Sequence, residues 1–295
     1  MVVLLEQIGA LILLCCGLAF GWHRWIRPYR KELDAQALGM MMLAILAVAG
    51  GAFGSPFWWM DYPASFSWTL PPLAARLLAA AGASFAVTGW YALEQRREDL
   101  VRSYVAMLAI YLAPLVAAIV LLHLGRFDWR APITYAFFVV AGGMALAALW
   151  HVARETKLGP SYQARAERAV QRIVRMWLYL IAAVTGLWGL ALFVHPQGPL
   201  PQIWVWPEDA LTSRLIASML LTLCVAATLG LRSLAQARMS LWMFVVYGIG
   251  AAAACFWNLA AGKAVPSFYA AVFSMLGPIS LALLFVPQAP QRQSA

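Results

Sequence analysis

The sequence predicts an all-α integral membrane protein of about nine transmembrane helices, one extra N-terminal helix followed by two parallel four-helix repeats. Three observations carry this. First, 63% of the 295 residues are apolar and 11% are charged, against roughly 25% charged in a soluble domain; a water-soluble core cannot absorb so much apolar surface. Second, nine runs reach the ~20 apolar residues that cross the hydrocarbon core. Third, the stretch 68–76 recurs loosely at 206–214, with Trp68/Trp206, Leu73/Leu211 and Arg76/Arg214 matching at one offset of 138 residues. A recurring arginine beside an apolar run points to a duplicated membrane module.

The first run, 2–22, has no basic residue ahead of it, and Glu6 stands where a signal peptide would carry Lys or Arg. Arg24, Arg27, Arg30 and Lys31 follow instead, the charge order of a signal anchor with its N-terminus outside. The next four runs, 37–57, 71–93, 103–124 and 132–152, form the first repeat; 175–194, 210–231, 241–261 and 267–286 form the second. Each run is too long and continuous for a barrel strand, and a helix satisfies its own backbone in lipid. Beyond the tryptophan–leucine–arginine match, Leu93 aligns with Leu231. After a gap of four residues, Pro132 aligns with Pro266, Tyr135 with Tyr269 and Gly143 with Gly277. Pro132 and Pro266 each open a span, where the first helical turn has no N–H partner to lose. Pro114 and Pro278 fall inside spans and predict kinks. An even number of spans per repeat makes both copies face the same way.

The chain thus divides into 1–36, a helix and basic loop; 37–152, the first repeat; 153–174, a basic linker helix; and 175–295, the second repeat. In the linker, Ser161 is a candidate N-cap, and the spacing of Arg165, Arg168, Arg172 and Arg175 places them on one helical face. That face reads as an anchor to anionic headgroups or as a partner surface.

Charge sets the orientation. With the N-terminus outside, 16 of the 21 Lys and Arg and seven of the twelve acids lie on the cytoplasmic side. The whole excess of +9 is therefore inside and the outer side is neutral. Such an excess would also suit nucleic acid, but its placement fits a bilayer with anionic headgroups at the cytoplasmic face of an inner membrane, and no nucleic-acid partner is expected. The 14 tryptophans and 10 tyrosines fit the lipid–water boundary. The outer segments 58–70 and 195–209, rich in Trp and Pro, are expected to cap the bundle as interfacial elements.

Few residues can carry chemistry. Arg76 and Arg214 each lie about one and a half turns inside a helix near the outer boundary, where an arginine must snorkel, pair or bind an anion. As structural ties they would pair with Asp61 and with Glu208 or Asp209. As a site they would converge across the repeat axis on a carboxylate, phosphate or lipid headgroup, which guanidinium geometry suits. Trp68 and Trp206 would then form apolar walls. His123 and His195, near the outer boundary, read as interfacial hydrogen-bonding groups, or as haem or metal ligands if they face one another. Cys15, Cys16, Cys224 and Cys255 sit inside apolar runs without C-x-x-C spacing and read as small buried residues. No P-loop, G-x-G-x-x-G, H-E-x-x-H or G-x-S-x-G occurs, and no cofactor or metal is expected. The alanine run 79–81, Gly50-x-x-x-Gly54 and similar small-residue stretches read as close helix packing.

The nonapeptide Trp68-Thr69-Leu70-Pro71-Pro72-Leu73-Ala74-Ala75-Arg76 resembles the W-x-L-x-P-L-x-x-R pattern of uncharacterised bacterial multi-span membrane proteins. The second copy lacks the prolines before Leu211. The resemblance implies a multi-span fold and no particular activity.

Three functional readings follow. The first is a binding or transport module for a small anionic or amphipathic molecule or a lipid, at an outward-facing site between the repeats with Arg76, Arg214, Trp68 and Trp206. The second is a non-catalytic accessory subunit packed against a membrane-protein partner. The third is a membrane enzyme, which the lack of an acid/base cluster disfavours.

Overall fold

The computed structural model describes residues 2–62, 65–66, 68–158, 162, 169–206 and 208–286, with the backbone alone for 2–8 and 10. Nine helices follow one another with no strand among the described residues. They are α1 (Val2–Gly21), α2 (Ala35–Trp59), α3 (Pro72–Gln95), α4 (Glu98–Ala118), α5 (Pro132–Ala153), α6 (Arg172–Val194), α7 (Ala210–Gly230), α8 (Leu234–Ala260) and α9 (Ser267–Leu284). Eight of them, α2 to α9, are long and apolar enough to cross a membrane. The chain therefore has the architecture of a multi-pass membrane protein.

The ends of the helices follow local chemistry. Asp34 caps α2 by accepting from the Ala37 amide at 2.7 Å, Asp209 caps α7 through the Thr212 amide at 3.2 Å, and Ser233 caps α8 through the Gln236 amide at 3.2 Å. Pro72 occupies the first turn of α3, Pro132 opens α5, and Pro266 stands just before α9. Helix α4 runs on through a wide turn at Ile119–His123 and a tight one at Leu124–Arg126. A second wide turn, Phe138–Gly142, interrupts α5. Helices α4 and α8 begin before their apolar runs and take in Arg102 and Arg238 at the start of their second turns, near the helix ends where long side chains reach water. In the linker, Ser161, Arg165 and Arg168 lie outside the described residues. Gln171 is extended, with φ −62° and ψ 148°, immediately before α6, which carries Arg172 and Arg175 in its first turn.

Four helices make the centre. α3 packs on α8, α8 on α7, α7 on α4, and α4 on α3, closing a ring. The other four flank it: α2 lies along α3, α6 along α7, α5 along α4 and α9 along α8, while α1 covers α2. Lipid supplies no hydrophobic drive for helices to associate, so close approach and interhelical hydrogen bonds must hold them. A Cβ on Gly51 would collide with the carbonyl oxygen of Gly82 in α3, and one on Gly248 with the backbone of Gly277 in α9. At the basic end, Arg24 binds Glu94 through two hydrogen bonds of 3.1 and 2.9 Å, and Gln236 donates to Ser103 at 2.9 Å. There, buried Tyr162 donates to the Trp25 carbonyl at 2.9 Å.

The Gly248 contact yields a direct test. Gly248→Leu should force α8 from α9 and lower stability by about 1–3 kcal/mol or more. Gly142→Ala, where a Cβ meets nothing within 4 Å, should shift it by less than about 0.5 kcal/mol. Unfolding midpoints of the two purified variants measure the difference.

Candidate functional site

Arg76 projects from the second turn of α3 toward α8. Its Nη1 donates to the Pro72 carbonyl at 3.2 Å and to Asn258 Oδ1 at 3.5 Å, and its guanidinium carbon lies 5.7 Å from the centre of the Trp257 ring. The Nε proton is buried and has no hydrogen-bond partner. Among the described residues no carboxylate, Asp61 included, forms an ion pair with it.

Arg214 occupies the corresponding place on α7 and faces the end of α4. Its Nε donates to the Phe193 carbonyl at 3.2 Å and its Nη1 to His123 Nε2 at 2.6 Å. Arginine can only donate, so the His123 Nε2 accepts and a neutral ring carries its proton on Nδ1. Asp209 turns away from Arg214: it caps α7 and takes Arg126 at 3.4 Å. The two arginines share no partner. Each reaches from the second helix of its own half to a polar side chain near the end of the third helix of the other half. The His195 carbonyl accepts the Trp204 indole N–H at 2.6 Å.

Trp68 and Trp206 meet one apolar cluster. Trp68 is 8% exposed and packs with Leu70, Ala74, Leu115 and Leu215, its ring 5.1 Å from Phe127 and 5.5 Å from Phe137. Trp206 leans on the same cluster and sets its edge to Tyr269 at 6.2 Å. The cluster that both tryptophans meet is built from the start of α3, the end of α4 and the start of α7. The Trp68 Nε1 is buried without a partner.

Among the spaces in the helix bundle, two are large. A groove of about 500 Å³ runs between α2, α3 and α8, lined by Ala52, Trp59, Ala79, Ala80, Ala83 and Gly250 among others. Arg76, Ala79, Ala80 and Ala83 lie at helical spacings of three, one and three, on one face of α3. Arg76 itself does not line the groove; its guanidinium lies over Trp257, whose ring meets the groove residue Trp59 edge to face at 6.4 Å. The second space, about 350 Å³, lies mainly among α2, α3, α4 and α5, with Leu14 of α1 and Leu215 of α7 also in its wall. Neither was visible as a site in the sequence. The alanines 79–81 read there as packing alone, and only Gly250, which meets Ala80, marks the close crossing beneath which the groove opens.

Among the described residues no three of His, Cys, Asp and Glu are grouped to hold a metal. No family model matches the chain, and no curated protein or solved structure matches it.

The Arg214–His123 pair makes a measurable prediction. Arg214→Ala strands the Phe193 carbonyl and the imidazole and should lower stability by about 1–3 kcal/mol. Combined with His123→Ala, the two losses should be less than additive. A double-mutant cycle of unfolding free energies reads the coupling.

Proposed function

We propose that the chain is a binding module of a cytoplasmic membrane that takes an anionic amphiphile, a phospholipid first of all, at the boundary between two parallel four-helix repeats. The observation that carries this reading is Arg76: a cation with an unpartnered buried Nε and no carboxylate partner among the described residues, one helical turn before Ala79 and Ala80, which line a groove of small residues. A phosphate accepts from a guanidinium with good geometry, and the alanine-lined groove leaves room for an acyl chain. Arg214, already engaged by His123 and Phe193, is the structural counterpart and not the anion contact. Transport would use the same boundary, because the halves meet there through side chains that can exchange partners.

The repeat is supported by more than the sequence match. Exchanging α2–α5 for α6–α9 turns each packed pair of the ring and its flanks into another packed pair. Gly51 lies against α3 at Gly82, and Gly189, 138 positions later, lies against α7 at Ala217 and Leu221. The orientation rests on charge: the loops joining α1 to α2, α3 to α4, α5 to α6 and α7 to α8 carry the excess of Lys and Arg, and this side is assigned to the cytoplasm.

Purification in mild detergent followed by native mass spectrometry tests the binding. The wild type should retain a phosphate-bearing lipid. Arg76→Gln, or Ala83→Leu within the groove, should reduce retention by about tenfold, the equivalent of ~1.4 kcal/mol. A protein that emerges bare, or with a fixed protein partner whose retention ignores Arg76, overturns the proposal and favours the accessory-subunit reading.

Topology is tested separately. A cysteine placed at Gln197 should react with a membrane-impermeant thiol reagent in intact cells, and one placed at Arg232 only after the membrane is opened. The reverse pattern would invert the assignment.

A further inference from the structure

We propose that the cavity inside the first half is a second, separate binding site, for a neutral single-chain ligand with an apolar body and a hydrogen-bond acceptor at one end. The space is partly open and measures about 350 Å³, within the ~300–1,000 Å³ range of small-molecule sites. Its wall is aromatic and aliphatic, including Trp58, Phe66, Trp68, Phe85, Tyr111 and Phe137, and no charged residue lines it. An anion has no counter-charge in this wall, so the ligand is neutral. An apolar space of this kind does not hold water.

The wall holds one conspicuous unmet donor. Trp68 is more than nine-tenths buried, and its Nε1 has no partner. A buried indole N–H normally finds an acceptor. A ligand carbonyl, as in an ester or ketone, supplies one.

The other half shows that the space is particular to this one. Gly51 and Gly189 take equivalent places in their helix crossings, which sets Gly50 opposite Trp188 in the aligned helices. Trp188 is buried against Phe268, Tyr269 and Phe273, with ring centres 5.1, 4.8 and 6.0 Å away. At Gly50, which lines the cavity, an added Cβ meets nothing within 4 Å. Likewise Gly277 touches the Gly248 backbone, whereas Gly143, its match in α5, has open space around it. The bulky side chain and the close helix contact that fill the second half are both missing from the first. The wall on that side is α5, only 17% of whose span is buried, and its wide turn contributes Val140 and Ala141 to the lining. Such turns recur at functional sites, and here the loosely held helix provides the entry from lipid.

The test compares two probes of similar length, methyl decanoate and undecane, by the rise in melting temperature that each gives the purified full chain in detergent micelles. The wild type should be stabilised by both, with methyl decanoate binding about tenfold tighter. Trp68→Phe keeps the ring and removes the donor, and should abolish the preference for the ester. Gly50→Leu fills the space and should abolish both responses while raising the melting temperature without ligand. Because a micelle effect would persist in Gly50→Leu, equal responses in that variant and the wild type overturn the site. An ester preference unchanged in Trp68→Phe overturns the ligand chemistry, and this arm stands even if Gly50→Leu does not fold. Loss of the Arg76 site leaves these outcomes untouched.

Discussion

The close crossing of α3 with α8, and of α7 with α4, holds the two halves together, and every other feature depends on it. In lipid an apolar side chain gains nothing by leaving its surroundings for a neighbouring helix, so association must come from contact distance and from polar pairs. The crossings use both. Gly250 lets α8 approach Ala80 on α3, and at the far end Arg76 donates to Asn258. The partner crossing is tied by Arg214 and His123. Near the basic end, Gln236 and Ser103 bridge α8 and α4. Each polar group is expensive to expose to hydrocarbon, and together they fix the register of a ring that apolar packing alone leaves free to slide.

The two ends of the bundle do different work. The basic end is tied by ion pairs and hydrogen bonds among side chains: Arg24 with Glu94, Arg97 with Asp99 at 2.8 Å, and the Glu98 carboxylate with the Leu158 amide at 2.8 Å. The opposite end is closed by aromatic rings over an apolar cluster, with Trp68, Phe127 and Phe137 in mutual contact. Charge pairs join the connections at the first end; at the second, where Arg126 also pairs with Asp209 at 3.4 Å, tilted and edge-to-face ring contacts close the bundle. Among the described residues neither Arg76 nor Arg214 has a carboxylate partner there, and Arg76 is held by a carbonyl, an amide and a ring face. A group so placed retains attraction for an anion from outside the chain.

Under the repeat proposed above, divergence of the two copies accounts for the difference between the halves. Positions that the proposed repeat matches carry Gly50 and Trp188, and Gly143 and Gly277. A difference of one large side chain and one helix contact turns filled space into a cavity. At the boundary the two arginines differ as well: Arg214 donates from Nε to a carbonyl and from Nη1 to an imidazole, while the Nε of Arg76 has no partner.

Helix number, span limits and fold class were legible in the sequence, because a bilayer imposes one length and one composition on each crossing. The run predicted at 175–194 is α6 at Arg172–Val194, and the run at 210–231 is α7 at Ala210–Gly230. Pro132 and Pro266 marked the starts of α5 and α9 by local chemistry that needs no tertiary partner. Arg76 and Arg214 were legible as unusual, since any arginine inside a span is. Their partners were not. Asn258 lies 182 positions from Arg76 and His123 lies 91 from Arg214, and composition is silent on which helix faces which. The cavity was hidden for the same reason: Gly50 in a run of small residues looks like a packing glycine, and Gly51 beside it is one. Only the standing-off of α5 decides that the first faces open space and the second a backbone. One chain property, apolar length, set the elements; the pairing of their faces, a matter of contact between distant residues, decided where the molecule is tied and where it is open.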